Sequence, residues 1–374
     1  MNGIYIHVPF CKSKCAYCNF FSLASESKIK DYVKALKNEI SFRRNYLDDE
    51  AIRTIYFGGG TPSLLPISSI EEIINLLHHN YNVDSNPEIT LEINPDTIDK
   101  EKMLSLKEMG VNRMSVGIQS FFDDDLKYLG RRHDSNHALQ VLENLINVNF
   151  DKITLDLIYG IPTLTEEKWN KNLDIFFATG FSHLSAYALT VEPKTILGQR
   201  INKGDLQDVS EEETINHYNI LVERTKEQGF EHYEISNFAK PDCRSLHNSI
   251  YWSDGKYLGL GPSAHSYDGN SRQWNVSNLS QYIKLAGKSD DCFEKEILTL
   301  DDKYNEYVMT SLRTSWGCNV EKIKLHHGIK YADFFLKNVK KYIESGVMLI
   351  NDNNYFLSEK GKLFADGIAS DLFL

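Results

Sequence analysis

The sequence predicts an α/β protein: a partial (β/α)6, TIM-like barrel carrying a small, α-rich, winged-helix-like C-terminal domain. Three observations point there. Through residue 235, short β-rich runs alternate with amphipathic helical stretches, the pattern of a parallel sheet with helices outside it. About six such repeats fall short of the eight that close a full barrel, and the sequence leaves closure open. Glycines, carboxylates and amides gather at the C-terminal ends of the expected strands, where barrels and open α/β sheets place their sites.

The elements follow in order. Strands are expected at residues 3–8, 53–57, 88–93, 113–118, 152–158, 183–189 and 231–235. The first helix sets Ile29, Tyr32, Val33, Leu36 and Ile40 on one face, the period of a helix packed on a sheet. The second starts at Ser68-Ser69-Ile70-Glu71, a capping-box signature, and turns Ile70, Ile73, Ile74 and Leu77 inward. The third covers 102–109 and stops at Gly110, a residue suited to the position after a helix. Further helices fit 135–147, 166–179 and 211–228. From 236 to 297 Gly, Ser, Asn and aromatics dominate, and the stretch reads as a loop-rich connecting segment. Helices are expected again at 303–313, 332–344 and 359–368, with a hairpin at 347–357. The predicted division is therefore 1–235, 236–297 and 298–374, since 374 residues exceed what one core usually serves.

Bulk properties narrow the function classes. Hydrophobic residues at 41% and charged residues at 25% suit a soluble globular protein. A net charge of −11 opposes nucleic-acid binding, with Arg131–Arg132 the nearest basic pair. No apolar run approaches the ~20 residues that span a bilayer. MNGIYIHVPF lacks the basic start, apolar stretch and cleavage site of a signal peptide, so a cytoplasmic location is the expectation. There, cysteines act as ligands, reactive thiols or core residues more often than as disulfides. Cys243, Cys292 and Cys318 stand apart from one another and read as structural.

Residues 5–18, YIHVPFCKSKCAYC, crowd Cys11, Cys15 and Cys18 into eight positions. Structural zinc normally takes four ligands in two separated pairs, and no second C-x-x-C pair exists. Lys12, Ser13 and Lys14 mark a polar, exposed loop, which disfavours plain burial of the thiols. Three thiolates at C-x3-C-x2-C fit best as three corners of a 4Fe–4S cluster whose fourth iron stays open.

This spacing after a first strand, followed by a partial β/α barrel, resembles the radical S-adenosylmethionine (SAM) superfamily. The resemblance implies that the open iron binds the amino and carboxylate groups of SAM. It also implies that an electron from the cluster cleaves SAM to a 5′-deoxyadenosyl radical, with the protein supplying placement and exclusion of water. FGGGTPS (57–63), LEINP with Glu92, GIQSF with Gln119, LGRRH with Arg131 and DLIYGIP with Asp156 each lie at or beyond a strand end. By resemblance to the coproporphyrinogen oxidase-like branch, Tyr5, Tyr17, Gly59, Gly60, Thr61, Glu92, Gln119, Arg131 and Asp156 are expected to contact SAM. Glycines let the backbone approach a ligand closely, so a side chain at Gly60 is expected to obstruct SAM.

Within that branch the chain is most similar to the HemW-type haem chaperones. Tyr5 arrives without the N-terminal extension of the oxygen-independent coproporphyrinogen III oxidases, and Phe20 stands where they carry a further cysteine. HNSIYW (247–252) matches the H-N-x-x-Y-W phrase of the chaperones. It offers His247 as an iron ligand beside two aromatics able to stack on a macrocycle, with His7, His133, His232 and His265 as alternatives. The resemblance implies haem binding and transfer to haem-requiring apoproteins, including respiratory ones at the membrane. SAM-dependent oxidative decarboxylation of coproporphyrinogen III is the alternative. Homodimer formation is left open.

Overall fold

The structure, a computed structural model, describes residues 1–48 and 50–374. Six strands lie side by side in chain order, all parallel: β1 (Asn2–Val8), β2 (Ile52–Gly59), β3 (Val83–Ile93), β4 (Arg113–Gln119), β5 (Lys152–Tyr159) and β6 (His183–Ala188). The helices between them are α1 (Ile29–Phe42), α2 (Ile67–Asn80), α3 (Lys100–Glu108), α4 (Asp123–Leu129), α5 (Ser135–Val148) and α6 (Glu166–Ala178). Strands of a parallel sheet covered on both faces are buried at both sets of positions; β4, RMSVGIQ, is buried along its whole length, its polar residues included. The helices bury one stripe each, as Ile70, Ile73, Ile74 and Leu77 of α2 show.

After α7 (Ile196–Asn202) and α8 (Glu211–Glu227), β7 (Glu231–Glu234) and β8 (Asn237–Ala239) turn antiparallel beside β6. The chain then crosses to the other edge through α9 (Leu246–Trp252). There β9 (Tyr257–Leu260) joins β1 in parallel, and β10 (His265–Tyr267), β11 (Ser271–Asn275) and, after α10 (Leu279–Leu285), β12 (Phe293–Ile297) extend the sheet antiparallel. Twelve strands form one open sheet with β12 and β7 at its two ends, a partial barrel.

The stretch 236–297 is thus not loop-rich: it holds β8, α9, β9, β10, β11, α10 and β12. β10 and β11 lack the strand signal because their inward positions are polar. Ser266, Gln273 and Asn275 are buried against a Glu39–Arg43 pair on and just after α1. Arg43 donates to Gln273 Oε1 at 2.5 Å and to the Gly259 carbonyl at 3.2 Å. Glu39 accepts from Asn275 Nδ2 at 2.7 Å, Tyr282 Oη at 2.6 Å and the Gly261 N–H at 2.9 Å. Buried polar groups are tolerated when paired, and here the pairing replaces the alternation of apolar residues that signals a strand.

Smaller differences have local causes. α2 starts at Ile67 behind Pro66, whose extended backbone ends the preceding segment, and no side chain caps it, so the Ser68 capping box does not form. α4 and α7, seven residues each, are too short to show a period in the sequence. The C-terminal portion comprises α11 (Leu300–Leu312), β13 (Cys318–Asn319), α12 (Val320–His326), α13 (Ile329–Asn338), α14 (Lys340–Glu344), β14 (Met348–Asn351), β15 (Asn354–Leu357), α15 (Glu359–Lys362) and α16 (Ala365–Ser370). It has a three-stranded sheet, β13-β15-β14, and its own core around Tyr304, Ile323, Phe335 and Leu372. An Arg272–Glu306 ion pair at 2.8 Å and a His232 Nδ1–Glu359 Oε2 hydrogen bond at 2.8 Å tie it to the barrel portion.

Candidate functional site

The C-terminal ends of β1–β6 surround a cavity of about 520 Å³. Cys11, Cys15, Tyr17, Cys18, Gly59, Gly60, Thr61, Glu92, Gln119, Arg131 and Asp156 all line it. Residues spread over 146 positions of sequence therefore meet because they lie in the C-terminal halves of parallel strands of one sheet or in the segments that follow them.

The cysteine loop is held at several points. Leu23 donates its N–H to the Pro9 carbonyl at 2.7 Å, and Cys11 donates to the Leu23 carbonyl at 3.0 Å, closing the loop at its base. Between Cys15 and Cys18, Ala16 donates to the Leu129 carbonyl at the end of α4 and accepts from the Leu197 N–H of α7, at 2.9 and 2.8 Å. Gly130, at φ 72°, permits that approach: a Cβ there lies 3.0 Å from the Ala16 nitrogen. The two helices that the sequence did not reveal are the ones that clamp the thiols.

Around the thiols lie polar groups. Thr61 Oγ1 is 3.6 Å from Cys11 Sγ and accepts from Asn94 Nδ2 at 2.9 Å. Arg131 points Nη1 at Cys15 Sγ, 3.4 Å away, and donates through Nη2 to Asn94 Oδ1 at 2.9 Å and the Gly117 carbonyl at 2.6 Å. Its buried Nε has no hydrogen-bond partner among the described residues. Burial lowers the Arg131 pKa, but Tyr17 and Cys15 beside it outweigh that and leave it raised, so the charge stays. Burial raises the Cys11 and Cys18 thiols, so metal entry must displace their protons.

Two carboxylates form the opposite wall. Glu92 accepts from Tyr56 Oη at 2.8 Å and the Gly59 N–H at 3.1 Å; burial pushes its pKa up to about 7 against those bonds. Asp156 accepts from Ser115 Oγ at 3.1 Å and is raised to about 8, by burial first and the nearby Glu92 charge second. Gln119 takes φ 72° at a break in the β4–β5 register, a strained backbone for a residue with a side chain.

The glycines of FGGGTPS serve the chain as well as any ligand. A Cβ on Gly60 comes within 2.7 Å of the Val8 and Phe10 carbonyls, and one on Gly59 within 2.5 Å of the His7 ring. A side chain at Gly60 therefore strikes the β1 backbone, not only a ligand.

Tyr5 and His247 lie elsewhere. Tyr5 Oη is 3.1 Å from His7 Nδ1, and its ring stacks 6.0 Å from Tyr56, below the cavity wall. His247 is buried at the N-terminal end of the strands. Its Nδ1 is 2.7 Å from Thr54 Oγ1, its Nε2 is 2.9 Å from Tyr251 Oη, and its ring stacks on Tyr56 at 4.9 Å. Burial lowers its pKa to about 3, so the ring is neutral. Asn94, Ser115 and Tyr187 line the cavity without having been singled out; the Asn-Pro after LEI was the available signal for Asn94.

The donor set suits the cofactors of this fold. Three thiols edge the cavity and a cationic side chain faces one of them, which matches a cluster held at three corners. Among the described residues no three His, Cys, Asp or Glu side chains are gathered to hold a single metal ion.

Comparison with known proteins agrees with this geometry. Residues 5–175 match the radical SAM superfamily, and residues 298–364 match the HemN C-terminal domain. The heme chaperone HemW of Bacillus subtilis (strain 168) is 32% identical over 371 residues, covering 98% of each chain. That of Synechocystis is 35% identical over 302 residues, covering 76% of this chain and 73% of its own. The solved coproporphyrinogen III oxidase (HemN) of Escherichia coli superposes with a TM-score of 0.86 over 100% of this chain and 90% of that one, at 23% identity, which shows a shared fold. The chain belongs to the HemW family of the radical SAM superfamily.

Proposed function

We propose that this protein binds haem and delivers it to haem-requiring apoproteins, respiratory enzymes at the membrane among them. It does so in the cytoplasm, with a 4Fe–4S cluster and SAM in its barrel cavity. The observation that carries the reading is full-length similarity to heme chaperones at 32% identity, on a chain whose three thiols share one cavity. Cys11, Cys15 and Cys18 hold the cluster. Tyr17, Gly59, Gly60, Thr61, Glu92, Gln119, Arg131 and Asp156 form the SAM wall, with Tyr5 supporting it from behind through Tyr56. The cluster, when bound, supplies an open iron and an electron. Arg131 holds positive charge against Cys15, while Glu92 and Asp156, once ionised, meet the ligand's amino group or ribose hydroxyls with charge-assisted bonds. The cavity mouth carries Phe20, 66% exposed, which occupies the place of a fourth cysteine with an apolar ring.

The test is anaerobic purification followed by assay of iron, acid-labile sulfide and haem retention. Haem bound in stable stoichiometry and passed to an apo-cytochrome supports the proposal. Robust conversion of coproporphyrinogen III to protoporphyrinogen IX under reducing conditions with SAM, without haem binding, overturns it in favour of the oxidase.

A further inference from the structure

Behind the cavity wall lies a row of aromatic rings. Tyr56 of β2 donates to Glu92, which lines the cavity, and its ring is 6.0 Å from that of Tyr5 on β1. The His247 ring stacks on Tyr56 at 4.9 Å and lies 6.3 Å from Tyr5. Tyr251 of α9 meets His247 edge-on at 5.3 Å. Tyr257 of β9 follows at 4.8 Å from Tyr251, and Tyr267 of β10 at 6.2 Å from Tyr257. Tyr257 is buried, whereas Tyr267 is only half-buried and reaches solvent. Ring contacts therefore run without a break from the cavity wall to the surface.

The partners of the hydroxyls set this row apart from plain packing. Tyr32, Tyr81 and Tyr304 donate to backbone carbonyls, which cannot take up a proton. Tyr56, Tyr5 and Tyr251 each face a base instead. Tyr56 Oη is 2.8 Å from Glu92 Oε1. His7 donates through Nε2 to the Phe21 carbonyl at 2.8 Å, so its Nδ1 accepts from Tyr5 Oη at 3.1 Å. His247 is neutral and has one ring proton; placed on Nδ1 toward Thr54 Oγ1, it leaves Nε2 to accept from Tyr251 Oη at 2.9 Å. A phenol gives up an electron readily only when its proton leaves as well, because the phenol radical cation is a very strong acid. A base already hydrogen-bonded to the hydroxyl supplies that exit.

We infer that this row is a hole-transfer relay, which carries an oxidising equivalent from the cavity to the surface through Tyr56, Tyr5, Tyr251, Tyr257 and Tyr267. The oxidant is a carbon- or oxygen-centred radical formed in the cavity. It takes one electron from Tyr56 and, with a proton from water, becomes a closed-shell product. The Tyr56 proton passes to ionised Glu92 and leaves a neutral phenoxyl radical. Tyr5 then returns an electron to Tyr56, Glu92 returns the proton, and the Tyr5 proton moves to His7 Nδ1. The same exchange moves the vacancy to Tyr251, with His247 Nε2 as base, and on to the Tyr257–Tyr267 pair, where the proton leaves to water. A thiol in solution restores Tyr267 by giving a hydrogen atom and is itself oxidised. Every inner residue ends as it began, so a stray radical is removed without damage to the cavity. The relay needs no haem and stands apart from haem carriage.

The test fixes the oxidant in the cavity by a covalent bond. A thiol-reactive ruthenium tris(bipyridine) photo-oxidant is attached to Cys18 of the full-length, cluster-free chain carrying Cys11→Ser, Cys15→Ser and Cys243→Ser, then flashed with an irreversible quencher. Electron paramagnetic resonance detects tyrosyl radicals, and mass spectrometry locates their spin-trap adducts. With the row intact, adducts form on Tyr257 or Tyr267. Tyr251→Phe loses most of these outer adducts and gains adducts on Tyr56 or Tyr5. Tyr342→Phe, in the C-terminal portion, changes neither; circular dichroism verifies the fold of each variant. Outer adducts unchanged in both Tyr56→Phe and Tyr251→Phe overturn the relay. So does an intact row in which a tyrosine beside the label is oxidised and no adduct reaches Tyr257 or Tyr267.

Discussion

Arg131 places Nη1 3.4 Å from Cys15 Sγ while its Nη2 donates to Asn94 and Gly117, so one guanidinium joins the cysteine loop to the ends of β3 and β4. Removing it leaves Asn94 Oδ1 and the Gly117 carbonyl without that donor and takes a positive charge from the thiol. Arg131→Met should cost about 1.5–3 kcal/mol of stability, the range for hydrogen bonds to charged groups. It should also lower iron per chain after reconstitution. Thermal denaturation and iron assay check both; an unchanged iron content would separate Arg131 from the cluster.

Cys11→Ser, Cys15→Ser and Cys18→Ser should each abolish the brown colour of the reconstituted protein. Cys292→Ser should keep it, since that thiol is buried near Glu39 and Arg43, away from the cavity. Iron and sulfide determination on each variant decides the matter.

Gly60→Val should lose cluster and stability together. The new Cβ meets two backbone carbonyls at 2.7 Å, and overpacking of that kind costs about 1–3 kcal/mol or more. Ser115→Ala, which removes a hydroxyl bonded to Asp156 at the cavity wall, should weaken SAM binding with the cluster intact. Calorimetry with SAM beside iron assay distinguishes the two variants.

The Glu92 and Asp156 carboxyls are raised to about 7 and about 8. A raised folded-state pKa means that folding favours the protonated acid. The contribution is therefore present at low pH and is lost as pH rises from the ordinary carboxylate range through 7 and 8. The ligand-free protein should lose melting temperature across that window, and Glu92→Gln or Asp156→Asn should flatten the loss. SAM, which recruits the ionised forms, should bind with proton release and more tightly toward pH 8. Melting curves and calorimetry in buffers of different ionisation enthalpy measure both effects.

The first six strands and, α4 apart, the helices between them were legible because their apolar residues keep the periods of strand and helix; α1 buries Ile29, Tyr32, Val33, Leu36 and Ile40 as its spacing foretells. That most of the singled-out polar residues line one cavity was legible because they lie near or beyond the C-terminal ends of strands in the same sheet. β10 and β11 were not, because Ser266, Gln273 and Asn275 face inward to Glu39 and Arg43 and mimic loop composition. Nor could spacing reveal that the imidazole of HNSIYW turns toward Thr54 and Tyr251, since a motif names residues without giving the direction they face.

That direction has a consequence for how the barrel is filled. α9 rests its first turn on Glu88, which accepts the Leu246 and His247 N–H groups at 2.9 and 3.1 Å, and Gly3 leaves room for no side chain between His247, Ile250 and Thr54. The helix acts as a stopper in the base of a vessel that is loaded from the opposite rim. On the proposed function, cluster and SAM would both enter at that rim, where Cys11, Cys15, Cys18 and Glu92 line one cavity. Two ligands sharing one entrance should interfere, so added SAM should slow the extraction of iron by a chelator relative to the SAM-free protein.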